Sequence, residues 1–156
     1  MVRQHHDRHV RLIGLVAGAL CALASIGHAA NRVPLSVPSG MPRPLTARPG
    51  DARRGKAIAV NSDRGNCNIC HKMPISEIPA GAFGDLGPAL DAVGSRLSVA
   101  ELRLRIANPR LINPDTIMPA YRVVKGLNRV AAGYVGRPIL SAQDVEDLVA
   151  YLASLK

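Results

Sequence analysis

The chain has 156 residues, of which 47% are apolar and 20% are charged, a composition that suits one soluble globular domain. It has no tryptophan, and only 3% of its residues are aromatic, so we expect something other than aromatic side chains to fill part of the core. The formal net charge of +9 is not accompanied by a nucleic-acid-binding motif. We therefore expect no nucleic-acid partner.

Residues 1–29 have the pattern of a secretory signal peptide. Three arginines precede an apolar run over residues 12–26, and small residues precede a cleavage site after Ala29. The alternative is an uncleaved anchor, but the run is short for a bilayer span. Cleavage removes three arginines and one aspartate, which leaves a mature chain of net charge +7. We expect export to the periplasm and no membrane span after cleavage.

Residues 30–50 contain five prolines and no apolar period, so they are predicted to form an extended or disordered leader. The folded domain is predicted over residues 51–156. Asp51 is expected to cap a helix that covers residues 52–59 and ends before Gly65. The sequence from Ser98 to Glu101 is a capping box, which predicts a short helix that stops by residues 108–109.

The last helix has the clearest pattern. Ser141 is expected to cap it, and acidic residues 144, 146 and 147 lie in its first turns, where the helix dipole favours them. Its apolar residues recur at helical spacing and predict one buried stripe: Val145, Leu148, Val149, Leu152 and Leu155. Long loops, residues 73–94 and 113–138, connect the three helices, and no strand pattern competes with them.

Signal cleavage leaves two cysteines, Cys67 and Cys70, and one histidine, His71. Their C-x-x-C-H spacing is the attachment signature of c-type haem. Two intervening residues let both sulfurs form thioethers with one edge of the porphyrin, and His71 then becomes the proximal iron ligand. The alternatives are a redox dithiol, which needs no following histidine, or a zinc site, which needs four ligands where three are present.

The sixth iron ligand is identified by elimination. The mature chain has no second histidine, and of its methionines Met41 lies in the leader and Met73 is tethered beside His71. Met118 remains, and ligation by its thioether would favour ferrous iron and raise the reduction potential of the haem. The alternative is a loop methionine that fills a gap in the core.

A proline carbonyl is expected beside the proximal ligand. Haem-ligating histidines donate their other ring nitrogen to a fixed acceptor, and Pro88 lies at the distance along the chain where small c-type cytochromes place one. An ordinary proline turn is the alternative at this position.

Several segments together resemble the SoxX family, the monohaem cytochrome subunits of SoxXA complexes in bacterial sulfur oxidation. They are RGNCNICHKMPI (64–75), GPALD (87–91), NPDTIMPAY (113–121), GLNRV (126–130), GRPILS (136–141) and VEDLVAYL (145–152). The similarity covers nearly all of residues 51–156 and shows no departure at a ligand position.

The resemblance implies an all-α class I cytochrome c fold, with short helices and long loops around one covalent haem c. It also implies a heterodimer with a SoxA-like cytochrome subunit, which couples thiosulfate oxidatively to a cysteine of a carrier protein. This chain would be the electron-accepting subunit of that L-cysteine S-thiosulfotransferase-type complex, with no catalytic residue of its own, and would pass electrons to a small soluble cytochrome.

Two other functions remain open from the sequence. One is a free-standing class I cytochrome c that carries electrons to a terminal oxidase or reductase. The other, from a different class, is an exported binding or redox-dithiol domain without haem. The free-standing cytochrome would have the same haem site as a SoxX-type subunit and would differ only in its partner. The domain without haem would have two titratable thiols and no colour.

Overall fold

The computed structural model describes residues 37–156, and within this range it is helical with no strand. The predicted signal peptide and residues 30–36 of the predicted leader lie outside the described residues. The helices are α1 (Ala52–Val60), α2 (Val93–Arg96), α3 (Val99–Ala107) and α4 (Ala142–Ser154). Short 3₁₀ turns cover Cys67–Ile69, Ala80–Ala82, Pro109–Leu111 and Ala132–Tyr134. None of the helices in this range is long and apolar enough to cross a membrane.

The three predicted helices form, and their predicted caps are confirmed. The Asp51 carboxylate accepts hydrogen bonds from the first backbone N–H groups of α1. Ser98 and Ser141 each form a reciprocal capping box with the acidic residue three positions later, at α3 and α4. Each cap satisfies backbone donors that have no partner inside the helix. These helix starts therefore follow from local side-chain chemistry.

Helix α2 was not predicted and begins at the end of the expected 73–94 loop. The residue before it, Ala92, has a left-handed conformation with φ of +51° and makes no side-chain cap. The Gly94 N–H donates to the carbonyl of Leu155 at 2.8 Å, which ties α2 to the end of α4. This single turn is therefore formed by tertiary contact, which local sequence does not encode.

Helices α1 and α4 pack against each other to form the core. The predicted stripe on α4 is buried at Val145, Leu148 and Val149, which are at most 2% exposed. On α1, Gly55 faces α4 so closely that a β-carbon there would overlap the backbone carbonyl of Asp147. Only glycine allows the two backbones to approach this far.

The proline-rich segment 40–50 has neither helix nor strand, and it is part of the fold. The carbonyl of Met41 accepts from the Arg103 guanidinium at 2.5 Å, and its N–H donates to the carbonyl of Ala100. The Leu45 N–H donates to the Glu146 carboxylate at 2.9 Å. The part of the chain that packs into the fold therefore begins about ten residues before residue 51, where the folded domain was predicted to start.

Two acidic side chains of α4 hold this segment and the start of α1 in place. Arg103 and Glu146 form a bidentate ion pair at 2.8 and 3.0 Å, and both side chains are less than 10% exposed. Asp147 accepts from the Asp51 N–H and from Arg54. Burial alone would raise the pKa of Asp147, but these hydrogen bonds, with that of Gln143, lower it from 3.8 to about 2. Both carboxylates are therefore structural, in addition to any interaction with the helix dipole.

We predict that Glu146→Ala destabilises the haem-containing protein by about 3–5 kcal/mol, because it leaves the Arg103 guanidinium buried without its counterion. The measurement is urea unfolding followed by far-ultraviolet circular dichroism. Glu77→Ala is the matched control, since Glu77 pairs with Lys56 at the surface and should cause no measurable loss. Equal losses in the two variants would contradict the structural role of Glu146.

Candidate haem site

The segment Cys67–His71 is wound into one tight turn just after α1. The N–H groups of Cys70 and His71 both donate to the carbonyl of Cys67, at 3.2 and 2.9 Å. Before this turn, Asn66 has a left-handed conformation, and the Gly65 N–H donates to the carbonyl of Ile58 in α1. The turn is therefore fixed to the helix and brings both thiols and the imidazole to one place.

The two cysteines are half-buried and are not joined by a disulfide. Burial raises the pKa of the Cys67 thiol to about 11. A nucleophilic redox dithiol requires the opposite shift, because the thiolate is the reactive form. The surroundings of Cys67 therefore disfavour the thiolate that a disulfide-exchanging dithiol needs.

The imidazole of His71 is oriented by a backbone carbonyl. Its Nδ1 lies 2.7 Å from the carbonyl oxygen of Pro88. A carbonyl only accepts, so Nδ1 carries the proton and Nε2 keeps its lone pair for a metal. This is the contact that the sequence analysis expects for a proximal haem ligand.

The loop that supplies this carbonyl is itself tied to the haem-attachment turn. The Gly87 N–H donates to the carbonyl of Cys70 at 2.8 Å, and the Leu90 N–H donates to the carbonyl of Lys72 at 2.9 Å. Gly87 also lies against the imidazole, where a β-carbon would be 2.5 Å from Nδ1 of His71. Glycine is therefore required at this position if the ring is to reach Pro88.

Met118 lies on a separate loop and is partly buried against the hydrophobic core, as is Cys67. The loop is stabilised by local hydrogen bonds from Asp115 and Thr116 to Asn113, and from the Met118 N–H to the Thr116 hydroxyl at 3.2 Å. Met73 is 2% exposed within the core. The structure thus brings Cys67, Cys70, His71 and Pro88 together, and it places Met118 on a loop that borders the same core.

The donor set fits haem c. Two thiols without a disulfide, a histidine with a defined tautomer and a thioether on a second loop are what covalent attachment and axial ligation require. Haem, when bound, supplies an iron centre that exchanges one electron. The residues of this chain would hold and orient that group.

One residue near the site was missed by the sequence analysis. The side chain of Tyr121 is buried, and its hydroxyl donates to the carbonyl of Gly65, two residues before Cys67, at 2.5 Å. The low aromatic content could have pointed to Tyr121. When a chain has so few aromatic residues, each one is a strong candidate for a buried position in the core.

Comparison with known families identifies the class of protein. The cytochrome c family model matches residues 52–156, which is more than half of the chain. The chain therefore belongs to the cytochrome c family, and it is an electron-transfer protein whose family membership implies covalently bound haem c. The predicted all-α cytochrome c fold is confirmed.

A solved structure narrows this class. The crystal structure of SoxXA from P. pantotrophus matches with a TM-score of 0.67 and 36% sequence identity, over 76% of this chain and 90% of that chain. The chain is a SoxX-type cytochrome subunit, as the sequence resemblance indicated. No curated protein matches the sequence.

We predict that Gly87→Ala weakens His71 ligation, because the added methyl group occupies the position of the imidazole and lengthens its hydrogen bond to Pro88. Overpacking of this kind costs about 1–3 kcal/mol. The measurement is the urea concentration at which the Soret band reports loss of His71 ligation. Gly81→Ala is the control, since a β-carbon there has no neighbour within 4 Å; identical midpoints for both variants would contradict the prediction.

Proposed function

We propose that this chain is the periplasmic, electron-accepting subunit of a SoxXA-type complex. In this proposal a SoxA-like cytochrome subunit couples thiosulfate oxidatively to a cysteine of a carrier protein, and this chain passes the released electrons to a small soluble cytochrome c. The observation that carries the proposal is the 36% identity with SoxXA over 90% of the matched chain, which extends far beyond the haem-attachment segment.

Each site residue has one role in this proposal. Cys67 and Cys70 anchor a single haem through thioethers, His71 is the proximal ligand with Pro88 as the acceptor for its Nδ1, and Met118 is the distal ligand. The 2.7 Å contact between His71 and Pro88 supports the proximal assignment. Methionine ligation keeps the sixth position filled, which suits electron transfer and excludes substrate binding at iron.

Thiosulfate chemistry is assigned to the complex rather than to this chain. The mature sequence has no cysteine besides Cys67 and Cys70, and thioether formation consumes both thiols. A sulfur atom that accepts thiosulfate must therefore come from a partner. The task of this chain is then to accept and release electrons.

Exposed apolar side chains next to the haem-attachment turn and the methionine loop support a protein partner. Ile69 lies between the two cysteines and is 59% exposed, and Ile117 precedes Met118 and is 76% exposed. Leu86 precedes Gly87 and is 70% exposed. Apolar side chains at these positions suit the buried core of a subunit interface. We assign these exposed side chains to contact with the SoxA-like subunit.

The periplasmic location rests on the predicted signal peptide, residues 1–29. The mature chain would carry a net charge of +7, which favours rapid encounter with acidic partner proteins. Export also supplies the compartment in which the carrier protein and the small cytochrome would meet the complex.

We predict that Met118→Ala abolishes the weak far-red charge-transfer band that methionine ligation gives ferric haem, while the haem stays covalently attached. Absorption spectroscopy of the purified holoprotein measures the band. Met41→Ala is the matched control, because Met41 lies in the segment before α1 and should leave the band unchanged. A band that persists in Met118→Ala would rule out Met118 as the ligand.

We predict that the protein copurifies from its native host with a second haem-containing subunit, and that thiosulfate reduces its haem only when that subunit and the carrier protein are present. The measurement is the ferrous absorption spectrum after addition of thiosulfate to the separate and combined components. Purification as a lone cytochrome that thiosulfate leaves oxidised in every combination would favour the free-standing electron carrier instead.

A further inference from the structure

Tyr121 joins the methionine loop to the haem-attachment segment. It lies three residues after Met118 and is 7% exposed, and its hydroxyl donates to the carbonyl of Gly65 at 2.5 Å. Gly65 is two residues before Cys67 and is 56 positions from Tyr121 along the chain. One side chain therefore connects the two segments that carry the proposed axial ligands.

The backbone of Tyr121 is also fixed on two sides. Its N–H donates to the carbonyl of Ile106 in α3 at 3.3 Å, and its carbonyl accepts from the Leu140 N–H at 3.2 Å. The hydrogen bonds of the chain just before Met118 are local to the loop, through Asn113 and Thr116. Tyr121, together with its neighbour Arg122, which donates to the carbonyls of Ala107 and Leu140, is therefore where the methionine loop is held to the rest of the fold.

The acceptor of the Tyr121 hydroxyl is held equally firmly. The Gly65 N–H donates to the carbonyl of Ile58 in α1 at 3.1 Å, and the Asn66 N–H donates to that of Asn61 at 3.0 Å. Burial raises the pKa of the Tyr121 phenol, so the hydroxyl remains a protonated donor at neutral pH. A buried bond between two fixed groups limits how far the loop moves away from Cys67.

We infer that Tyr121 is a positioning residue for the axial thioether: its hydrogen bond to Gly65 holds the Met118 loop where the sulfur reaches the iron. This inference rests on the proposed ligation by Met118. Without the bond, the Gly65 carbonyl is left buried and unpaired, and the loop is held at Tyr121 by backbone contacts to Ile106 and Leu140.

The test is Tyr121→Phe in the holoprotein, which removes one oxygen and retains the ring. Loss of one buried hydrogen bond shifts the ligation equilibrium by roughly threefold to tenfold, so the pH at which the far-red band disappears should fall by about half a unit to one unit. Tyr151→Phe is the matched control. Tyr151 is also buried, but its hydroxyl has no hydrogen-bond partner among the described residues, so the band should be lost at the wild-type pH.

A second measurement separates positioning of Met118 from general stabilisation. Added imidazole competes with the methionine for ferric iron, so Tyr121→Phe should raise imidazole affinity by the same roughly threefold to tenfold. In a Met118→Ala background, the Tyr121→Phe change should leave imidazole affinity unaltered, because no methionine remains to be positioned.

Each other outcome overturns a specific step. Loss of the band at the wild-type pH together with an unchanged imidazole affinity in Tyr121→Phe would overturn the role of Tyr121. An equal effect on imidazole affinity in the Met118→Ala background would overturn it as well. Failure of Tyr121→Phe to retain haem would place Tyr121 in folding rather than in ligation, and would also overturn the inference. Absence of the far-red band from the wild-type protein would instead overturn the proposed ligation by Met118.

Discussion

The close crossing of α1 and α4 determines where the haem-attachment turn lies. Gly55 lets the backbones approach until no β-carbon would fit against the carbonyl of Asp147, and the apolar stripe of α4 is buried against α1. Because the Gly65 N–H is bonded to Ile58, the position of α1 sets the position of Cys67 and His71. A packing constraint between two helices thus becomes a constraint on the proposed metal ligands.

The proposed ligands lie on loops, yet each loop is tied to a fixed part of the fold. The 87–90 loop is bonded to the haem-attachment turn through Gly87 and Leu90, and it orients the imidazole from there. The methionine loop is held at Tyr121. Supporting contacts of this kind position axial ligands before the cofactor binds. Fixed ligands suit an electron-transfer site, because the same ligands must serve the iron in both of its oxidation states.

Local chemistry made three helices and the haem-attachment signature predictable. The caps at Asp51, Ser98 and Ser141 act within three residues, so their sequence patterns are sufficient to place the helix starts. The C-x-x-C-H spacing is similarly local. The close approach of the Pro88 carbonyl to His71 could be anticipated only from a comparison with other small cytochromes.

The features that the sequence analysis missed depend on distant partners. Helix α2 is bonded to the end of α4. The proline-rich segment is held by Arg103, which is 62 residues from Met41, and by Glu146, which is 101 residues from Leu45. Glu146 and Asp147 fit the helix-dipole pattern, which explains why their ion pairs with Arg103 and Arg54 were not predicted. A one-dimensional pattern shows the type of a side chain but not the partner that compensates its burial.

The pairing of segment 40–50 with α4 also has a consequence for the order of folding under the proposed export. A chain that crosses a membrane from its amino terminus would deliver Leu45 of this segment 101 residues before Glu146, its partner in α4. The cysteines cross in between. Covalent attachment of the porphyrin at the cysteines could therefore precede the packing of segment 40–50 against α4.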